Sequence, residues 1–459
     1  MRGIMPTKHV ILISAPGLRP SDIDATNTPT MHDWANNGAL ASLKPTFPCV
    51  TSPVQASMMT GVGPGQHGVT ANGFYYRTGD QPDPVESTPP AIEFWIARNN
   101  IVQKPQLYDL FKGMGKTSAV WHAQNIKDAA ADFIVTPSPI HEDDGSTKLW
   151  CYAKPEGLYE QLIADLGHFP LQHYWGPMAN VTSSQWIMRA AQWLIDRHQP
   201  KFHNIYIPHL DYAAQKFGPN SDQAKKALNE FDQLIAGFQQ YLQQSPIAGD
   251  HVVIIASEYA MTDVNQVIYP NRMLREADML SINEKDGAEH IDITHCKAFA
   301  LVDHQFAHVY LNDENRTDAR AADVAKLFAN AHGIAAAYAG KDRREVNLDH
   351  PRAGDVILIA EEYAWFAYYW WLSDDGAPAF ARTVDIHAKP GYDPVEMFFD
   401  PNTKGIPLDA SLVKGSHGIP PTKPHHMAAL LTNKPTNEIA SGNEYKDTDV
   451  NGIVRNLLA

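Results

Sequence analysis

Short apolar runs rich in isoleucine and valine alternate along this chain with longer stretches of helical period. Residues 9–15 (HVILISA), 204–208 (NIYIP) and 251–257 (HVVIIAS) read as buried strands bounded by loop residues. Helices are expected over 105–113, 155–166, 183–197 and 221–244. In the last of these Ala224, Leu228, Phe231, Leu234, Ile235 and Phe238 recur at nearly the helical period. Such alternation predicts an α/β fold, with a mostly parallel central sheet and helices on both faces. Ligands of such folds gather beyond the carboxyl ends of the strands, so the residues after each strand matter most.

From about residue 266 the texture changes. Runs at 296–302 (CKAFALV), 307–311 (AHVYL) and 355–360 (DVILIA) flank a helical stretch at 318–331, the pattern of an inserted α+β subdomain. From about residue 385 the chain is rich in loops and proline, and it returns through 427–432 (MAALLT), a candidate last strand. The expected division is a core over 1–265, an inserted cap over 266–384 and a final part of the core over 385–459. Residues 20–38 read as a solvated loop leading into a short helix, and there is no internal repeat.

Composition narrows the function classes. The 459 residues carry 37 Lys+Arg against 52 Asp+Glu, a net charge of −15. That balance repels a polynucleotide backbone and disfavours long nucleic acids as partners. A small phosphorylated substrate stays compatible, since local fields in a cleft can oppose the global charge. Three cysteines without CxxC spacing fit a reducing compartment rather than a disulfide framework. The N-terminal apolar run is too short for a secretory signal core. The longest apolar stretch, residues 364–372 (AWFAYYWWL), falls far below the roughly 20 residues a bilayer span needs. A soluble cytoplasmic protein is the expectation.

Candidate chemistry starts at residues 47–74, FPCVTSPVQASMMTGVGPGQHGVTANGF. Pro53 suits the first turn of a helix over 54–60, which places Thr51 or Ser52 at its N-terminus. Unpaired N–H groups there make an anion site, and a hydroxyl beside them is placed to attack phosphorus. An ordinary N-cap is the structural alternative. His67 reads as an organiser of the loop before Asn72, and Met58 and Met59 as helix core.

The order of motifs carries a resemblance. Strand plus GLRP (17–20), TPTMHDWANNGA (28–39), FPCVTSP (47–53), TGVGPGQHG (60–68), NGFYYR (72–77), HLDYAAQKFGP (209–219), ASEYAM (256–261) and GSHG (415–418) follow one another as in the alkaline phosphatase superfamily. The chain resembles its type I phosphodiesterase/nucleotide pyrophosphatase branch. Stretches such as FPLQHYWGP (169–177), PHLDY, SEYAM and VKGSHG look closer still to the phosphodiesterase-like proteins of the bacterial ebo cluster. This implies an alkaline-phosphatase-like core with an inserted cap. It also implies a Thr51 nucleophile between two divalent cations, usually zinc, and Asn72 holding a phosphoryl oxygen.

The ligand set departs from that pattern. Asp211 and His417 match one metal's ligands, but Gln215 stands where a histidine is usual. For the other metal, Pro16 replaces an aspartate, and Glu258 and Tyr259 replace an Asp-His pair. Proline offers no donor atom, and tyrosine ligates well only as phenolate. The expectation is therefore a single-metal site on Asp211, Glu258 and His417, with Gln215. Its oxygen donors lean toward Mg²⁺, Mn²⁺ or Ca²⁺ although the family resemblance implies zinc. His209, two residues from Asp211 on what reads as a strand end, is either a replacement ligand or a histidine bound to a loop carbonyl. His387 reads as a surface-loop histidine. The aromatic run Trp365–Trp371 reads as cap core, or as the lining of an apolar pocket. Two functions follow as expectations: a phosphoester or phosphodiester hydrolase with a degenerate site, or a phosphate-ligand binding or scaffold protein on the same fold that handles secondary-metabolite precursors.

Overall fold

The computed structural model describes residues 8–77, 91–141, 147–312 and 316–459. The first seven residues of the N-terminal run lie outside them. In chain order the main strands are β1 (His9–Ser14), β2 (Ala39–Lys44), β3 (Ser118–Trp121), β4 (Phe133–Pro137), β5 (Cys151–Lys154), β6 (Phe202–Tyr206) and β7 (His251–Ala256). They continue with β8 (Ala298–Asp303), β9 (Phe306–Leu311), β10 (Ile334–Ala339), β11 (Val356–Ala360), β12 (Ala428–Thr432) and β13 (Glu444–Lys446). One sheet runs β13-β2-β12-β7-β1-β6-β3-β4-β5, parallel except where β12 and β5 pair. This is the α/β architecture that the alternating pattern predicts.

The main helices are α1 (Pro29–Asn37), α2 (Thr51–Thr60), α3 (Leu107–Gly113), α4 (Leu158–Leu166), α5 (Val181–His198), α6 (His209–Phe217), α7 (Asp222–Gln244), α8 (Asp318–Phe328) and α9 (Asp449–Leu457). Alternate residues of β1 explain why helices cover both faces of the sheet. Ile11 and Ile13 join α5 and α7 in one apolar cluster, while Val10 and Leu12 join α2, α3 and α9 in another. The helix expected from residue 155 starts later, because Gly157 in a left-handed conformation caps α4. The run 427–432 is an interior strand: β12 lies antiparallel between β2 and β7.

The cap has its own antiparallel sheet, ordered β8-β9-β11-β10, with α8 against it. β10, IAAAYA, escapes sequence reading because alanine carries little strand signal. Every residue from Trp365 to Trp371 is buried in the cap's apolar cluster. That run is cap core rather than pocket lining. Only Ala364–Phe366 is strand, so the burial does not come from two faces of one long strand. Tyr392, Val395, Ile406 and Leu408 belong to the same cluster. Cys49, Cys151 and Cys296 are buried free thiols, and among the described residues no helix is long and apolar enough to cross a membrane.

Candidate active site

Register brings the candidate residues to one edge of the sheet. Ser14, the last residue of β1, stands opposite Tyr206 of β6 and Ala256 of β7. The three strands therefore release Pro16, the α6 turn with Asp211, and Glu258-Tyr259 at one level. The loop after β2 delivers Thr51 to the same edge. Val50 in an extended conformation caps α2, Thr51 is its first residue, and Gly61 at φ 75° closes it. Proline is tolerated at the third position, Pro53, because the first-turn N–H groups have no intrahelical acceptor.

The Thr51 hydroxyl lies 3.4 Å from the Tyr259 hydroxyl, which donates to Asp211 Oδ1 at 3.3 Å. Ser52 N–H donates to Asn72 Oδ1 at 2.9 Å, so the Asn72 amide closes the start of α2. Asn72 is held in turn by Asp303, which accepts its backbone N–H at 3.0 Å and its Nδ2 at 3.2 Å. Asp303 also pairs with His304 Nδ1 at 2.7 Å. Gln215, one turn after Asp211 on α6, donates Nε2 to Asp211 Oδ2 at 2.7 Å and accepts the Tyr392 hydroxyl at 2.9 Å. His417 Nδ1 donates to the Cys49 carbonyl at 2.8 Å. Its Nε2 keeps a lone pair without a hydrogen-bond partner, 3.9 Å from Asp211 Oδ1. The Tyr259 and His417 rings stack at 3.5 Å, and His304 lies between His417 and Tyr392 at 3.8 and 3.7 Å.

Burial sets the electrostatics. It pushes the Asp211 carboxyl up to about 7, with the Gln215 and Tyr259 bonds only partly offsetting it. Glu258 is also raised to about 7 by burial, against hydrogen bonds from Ser14 and Gln55 and the nearness of the Thr51 hydroxyl. Asp303 stands at about 7 for the same reason, eased by Asn72. Burial, followed by the neighbouring Asp211 and Glu258, keeps the Tyr259 phenol protonated. It also keeps the His417 and His304 imidazoles neutral.

Of the residues singled out by sequence, Asp211, Gln215 and His417 form one connected group, with Tyr259 bridging it to Thr51. Glu258 is bonded outside that group: Oε1 accepts Ser14 Oγ at 2.6 Å and Gln55 Nε2 at 2.7 Å, while Oε2 has no partner. His209 is not on a strand end. It is the first residue of α6, where a residue two positions on points to another side, and it pairs with Glu230 at 2.9 Å. That excludes it from the Asp211 group. His387 is exposed on its loop, and His67 binds Ser57 and accepts Val69 N–H, ordering the loop before Asn72.

Cation donors can be tested on these contacts. Asp211 and His417 fit a cation: their facing atoms stand close to the ligand–ligand span of about 3.5 Å that follows from bonds near 2.1 Å. A histidine fixed through Nδ1 to a carbonyl also has the tautomer a metal needs. On the other side of Thr51, Pro16 has no donor and Tyr259 offers a neutral phenol, so the second cation of a paired site is not furnished. Sequence reasoning missed Ser14, Gln55, Asp303, His304 and Tyr392. Gln55 lies one turn from Thr51, a spacing readable in the sequence. Asp303 and His304 come from the end of a cap strand, which no motif marked.

Comparisons with known proteins bear on the family and the fold. The model of the family "Type I phosphodiesterase / nucleotide pyrophosphatase" matches residues 10–393. An uncharacterized pyrophosphatase/phosphodiesterase of Schizosaccharomyces pombe is 23% identical over 58% of this chain and 47% of its own length. Ectonucleotide pyrophosphatase/phosphodiesterase 1 of Saccharomyces cerevisiae is 22% identical over 66% of this chain and 42% of its own. The chain thus spans less than half the length of either relative. Among solved structures, phosphonoacetate hydrolase from Sinorhizobium meliloti bound to phosphonoformate superposes with a TM-score of 0.62 at 16% identity, covering 99% of this chain and 96% of that one. An inactive murine ectonucleotide pyrophosphatase/phosphodiesterase 5 bound to AMP gives a TM-score of 0.62 at 14% identity, covering 98% and 95%. At such identities these two structures speak for the fold alone. On the family match, with the fold and motif order in agreement, the chain belongs to the type I phosphodiesterase/nucleotide pyrophosphatase family.

Proposed function

We propose that this chain hydrolyses phosphodiesters or phosphate esters of small molecules through a Thr51 nucleophile, assisted by one divalent cation. The observation that carries the reading is the setting of the Thr51 hydroxyl: first turn of α2, beside the Ser52–Asn72 bond, with Tyr259 and Glu258 flanking it. Asn72 Nδ2 has a second N–H to offer a phosphoryl oxygen beyond its bond to Asp303, whereas at the helix start Ser52 N–H is already bonded to Asn72 Oδ1 and Pro53 has none. The Thr51 Oγ1–P bond forms as the bond from phosphorus to the leaving oxygen breaks. The Thr51 proton passes to the unpartnered Glu258 Oε2, and water then cleaves the phosphothreonine. Asp211 and His417, with Gln215, would hold the cation, and Glu258 is better placed to serve Thr51. When bound, the cation supplies Lewis-acid charge. Imidazole at His417 suits zinc, whereas the oxygen donors suit Mg²⁺, Mn²⁺ or Ca²⁺. The AMP and phosphonoformate bound by the two structural relatives support a small phosphorylated substrate. Three free thiols support action in a reducing cytoplasm.

Elemental analysis of the purified protein, with bis-p-nitrophenyl phosphate turnover on the same sample, tests the reading. About one equivalent of a divalent metal is expected, as a one-site centre implies. Turnover should vanish in Thr51→Ala while the circular dichroism is kept. Full turnover in that variant removes the nucleophile assignment. Metal content unchanged in both Asp211→Asn and His417→Ala makes that pair structural.

One observation favours a second reading. The Tyr259 phenol is wedged between Thr51 and Asp211, and Thr51, Asp211, Glu258 and His417 are all buried. A binding or scaffold protein that keeps phosphate affinity without turnover would look like this, and the resemblance to ebo-cluster proteins that handle metabolite precursors belongs with it. Protein that stays inactive with added Zn²⁺, Mn²⁺, Mg²⁺ and Ca²⁺, yet binds phosphorylated ligands, decides for this reading.

A further inference from the structure

A group of side chains able to ligate a metal stands apart from the Thr51 site, where the cap meets the core. Glu362 lies in the cap turn after β11, and His425 and His426 end the 3-10 turn Pro424–His426 that leads into β12. Their ligand atoms all fall within 4.8 Å of one another. Glu362 Oε1 is 2.6 Å from His425 Nε2 and 3.4 Å from His426 Nε2. The two imidazoles are nearly perpendicular, at 74°, so their nitrogens approach Oε1 from different directions.

An ordinary ion pair does not explain this arrangement. Lys423 already satisfies Glu362 through the other oxygen, Oε2. His426 is only 6% exposed, and its Nε2 is without a hydrogen-bond partner although aimed at Oε1. A cation held between His426 Nε2 and Glu362 Oε1 would give the buried nitrogen the partner it lacks. His425 is half exposed and opens a path from solvent. We propose that Glu362, His425 and His426 bind a borderline transition metal such as Zn²⁺, with water as a fourth ligand, clipping the cap to the core.

Two imidazoles and one carboxylate form a donor set suited to Zn²⁺ or Co²⁺ and poorly suited to Mg²⁺ or Ca²⁺. Ligation puts the His426 proton on Nδ1, and the long 3.4 Å approach of Thr422 N–H to that atom is the contact given up. Lys423, largely exposed, swings away from the added charge. The clip connects with the first site through the backbone. The Glu362 carbonyl accepts Gln305 Nε2 at 2.9 Å and Thr262 Oγ1 at 3.2 Å, and Gln305 N–H donates to the His417 carbonyl at 2.9 Å. The proposal does not depend on what Thr51 does.

Calorimetric titration of Zn²⁺, and Co²⁺ absorption, on tag-free, chelator-stripped full-length protein test it. A variant carrying Asp211→Asn and His417→Ala should still bind Zn²⁺ and give a Co²⁺ ligand-field band. Adding His425→Ala should weaken that binding by more than roughly tenfold and remove the band. Glu362→Gln, which preserves shape, should do the same with an unchanged melting curve in the absence of metal. Retained affinity in both the His425→Ala and Glu362→Gln proteins overturns the proposal. So does loss of all Zn²⁺ binding in the Asp211→Asn, His417→Ala protein when that protein melts like wild type.

Discussion

Asn72 sits at the crossing of two requirements. Its carbonyl closes the start of α2 through Ser52 N–H, and its amide is fixed by Asp303, so its remaining N–H has a defined direction. Asn72→Ala should lower kcat by about 10²-fold with less effect on KM, the scale expected for loss of one oriented donor to a phosphoryl oxygen. Steady-state kinetics on bis-p-nitrophenyl phosphate check this, and an unchanged kcat removes Asn72 from the reaction. Asp303 supplies a pH signature. Its carboxyl ordinarily titrates at 3.8, and burial, partly offset by Asn72, holds it at about 7. Between those values the folded protein keeps a proton that the unfolded chain has released. The stability Asp303 lends is therefore full below its unfolded value and lost as pH rises through about 7. Melting temperatures of Asp303→Asn and wild type, compared from about pH 5 to about pH 8, should move in the variant's favour as pH rises. A difference constant across that range contradicts it. The Asp303-His304 dipeptide was visible in the sequence, but nothing local tied it to Asn72, 231 positions away.

At the scale of elements, the Asp211–His417 span depends on how closely α6 approaches the short strand Gly415–Ser416. A Cβ on Gly415 would stand 2.2 Å from the Ala214 carbonyl oxygen, so only glycine allows the contact. Lys414 N–H donates to the Gln215 carbonyl at 2.9 Å and fixes the strand against the helix. Gly415→Ala should separate the two elements, destabilise the fold by about 1–3 kcal/mol and reduce activity and metal content further than stability. Urea denaturation alongside turnover checks this, and full activity in a destabilised variant contradicts it. The helical spacing of Asp211 and Gln215 was legible as four residues, but the sequence did not show that this stretch is helix from its first residue. His209 follows a strand closely enough that its alternation with Asp211 looked like a strand end. The turn at Ile207-Pro208 decides otherwise, and the two side chains diverge.

For the whole molecule, the segment after the cap packs against it through Tyr392 and Val395 and holds a buried ion triad of its own. Lys389 Nζ lies 2.8 Å from both Asp393 Oδ2 and Glu396 Oε1, all three side chains being buried. Burial alone would lower the Lys389 pKa, but the two carboxylates more than offset it. Lys389→Ala leaves two carboxylates buried without their cation and should destabilise the protein by about 3–5 kcal/mol. A chemical-denaturation midpoint equal to wild type contradicts this. The sequence by itself determined the alternation of strands and helices, the mostly parallel sheet and the place of Thr51 at a helix start. Each of these follows from periodicity, or from proline and glycine placed a few residues away. The motif order likewise pointed to the family. Only the tertiary structure decided which donors converge. It joined Asp211, Gln215 and His417, turned Glu258 toward Ser14 and Gln55, and brought Asp303 from the cap to Asn72. Those contacts join residues up to some 240 positions apart, such as Ser14 and Glu258. They are fixed by strand register and by packing between cap and core, which local patterns do not encode.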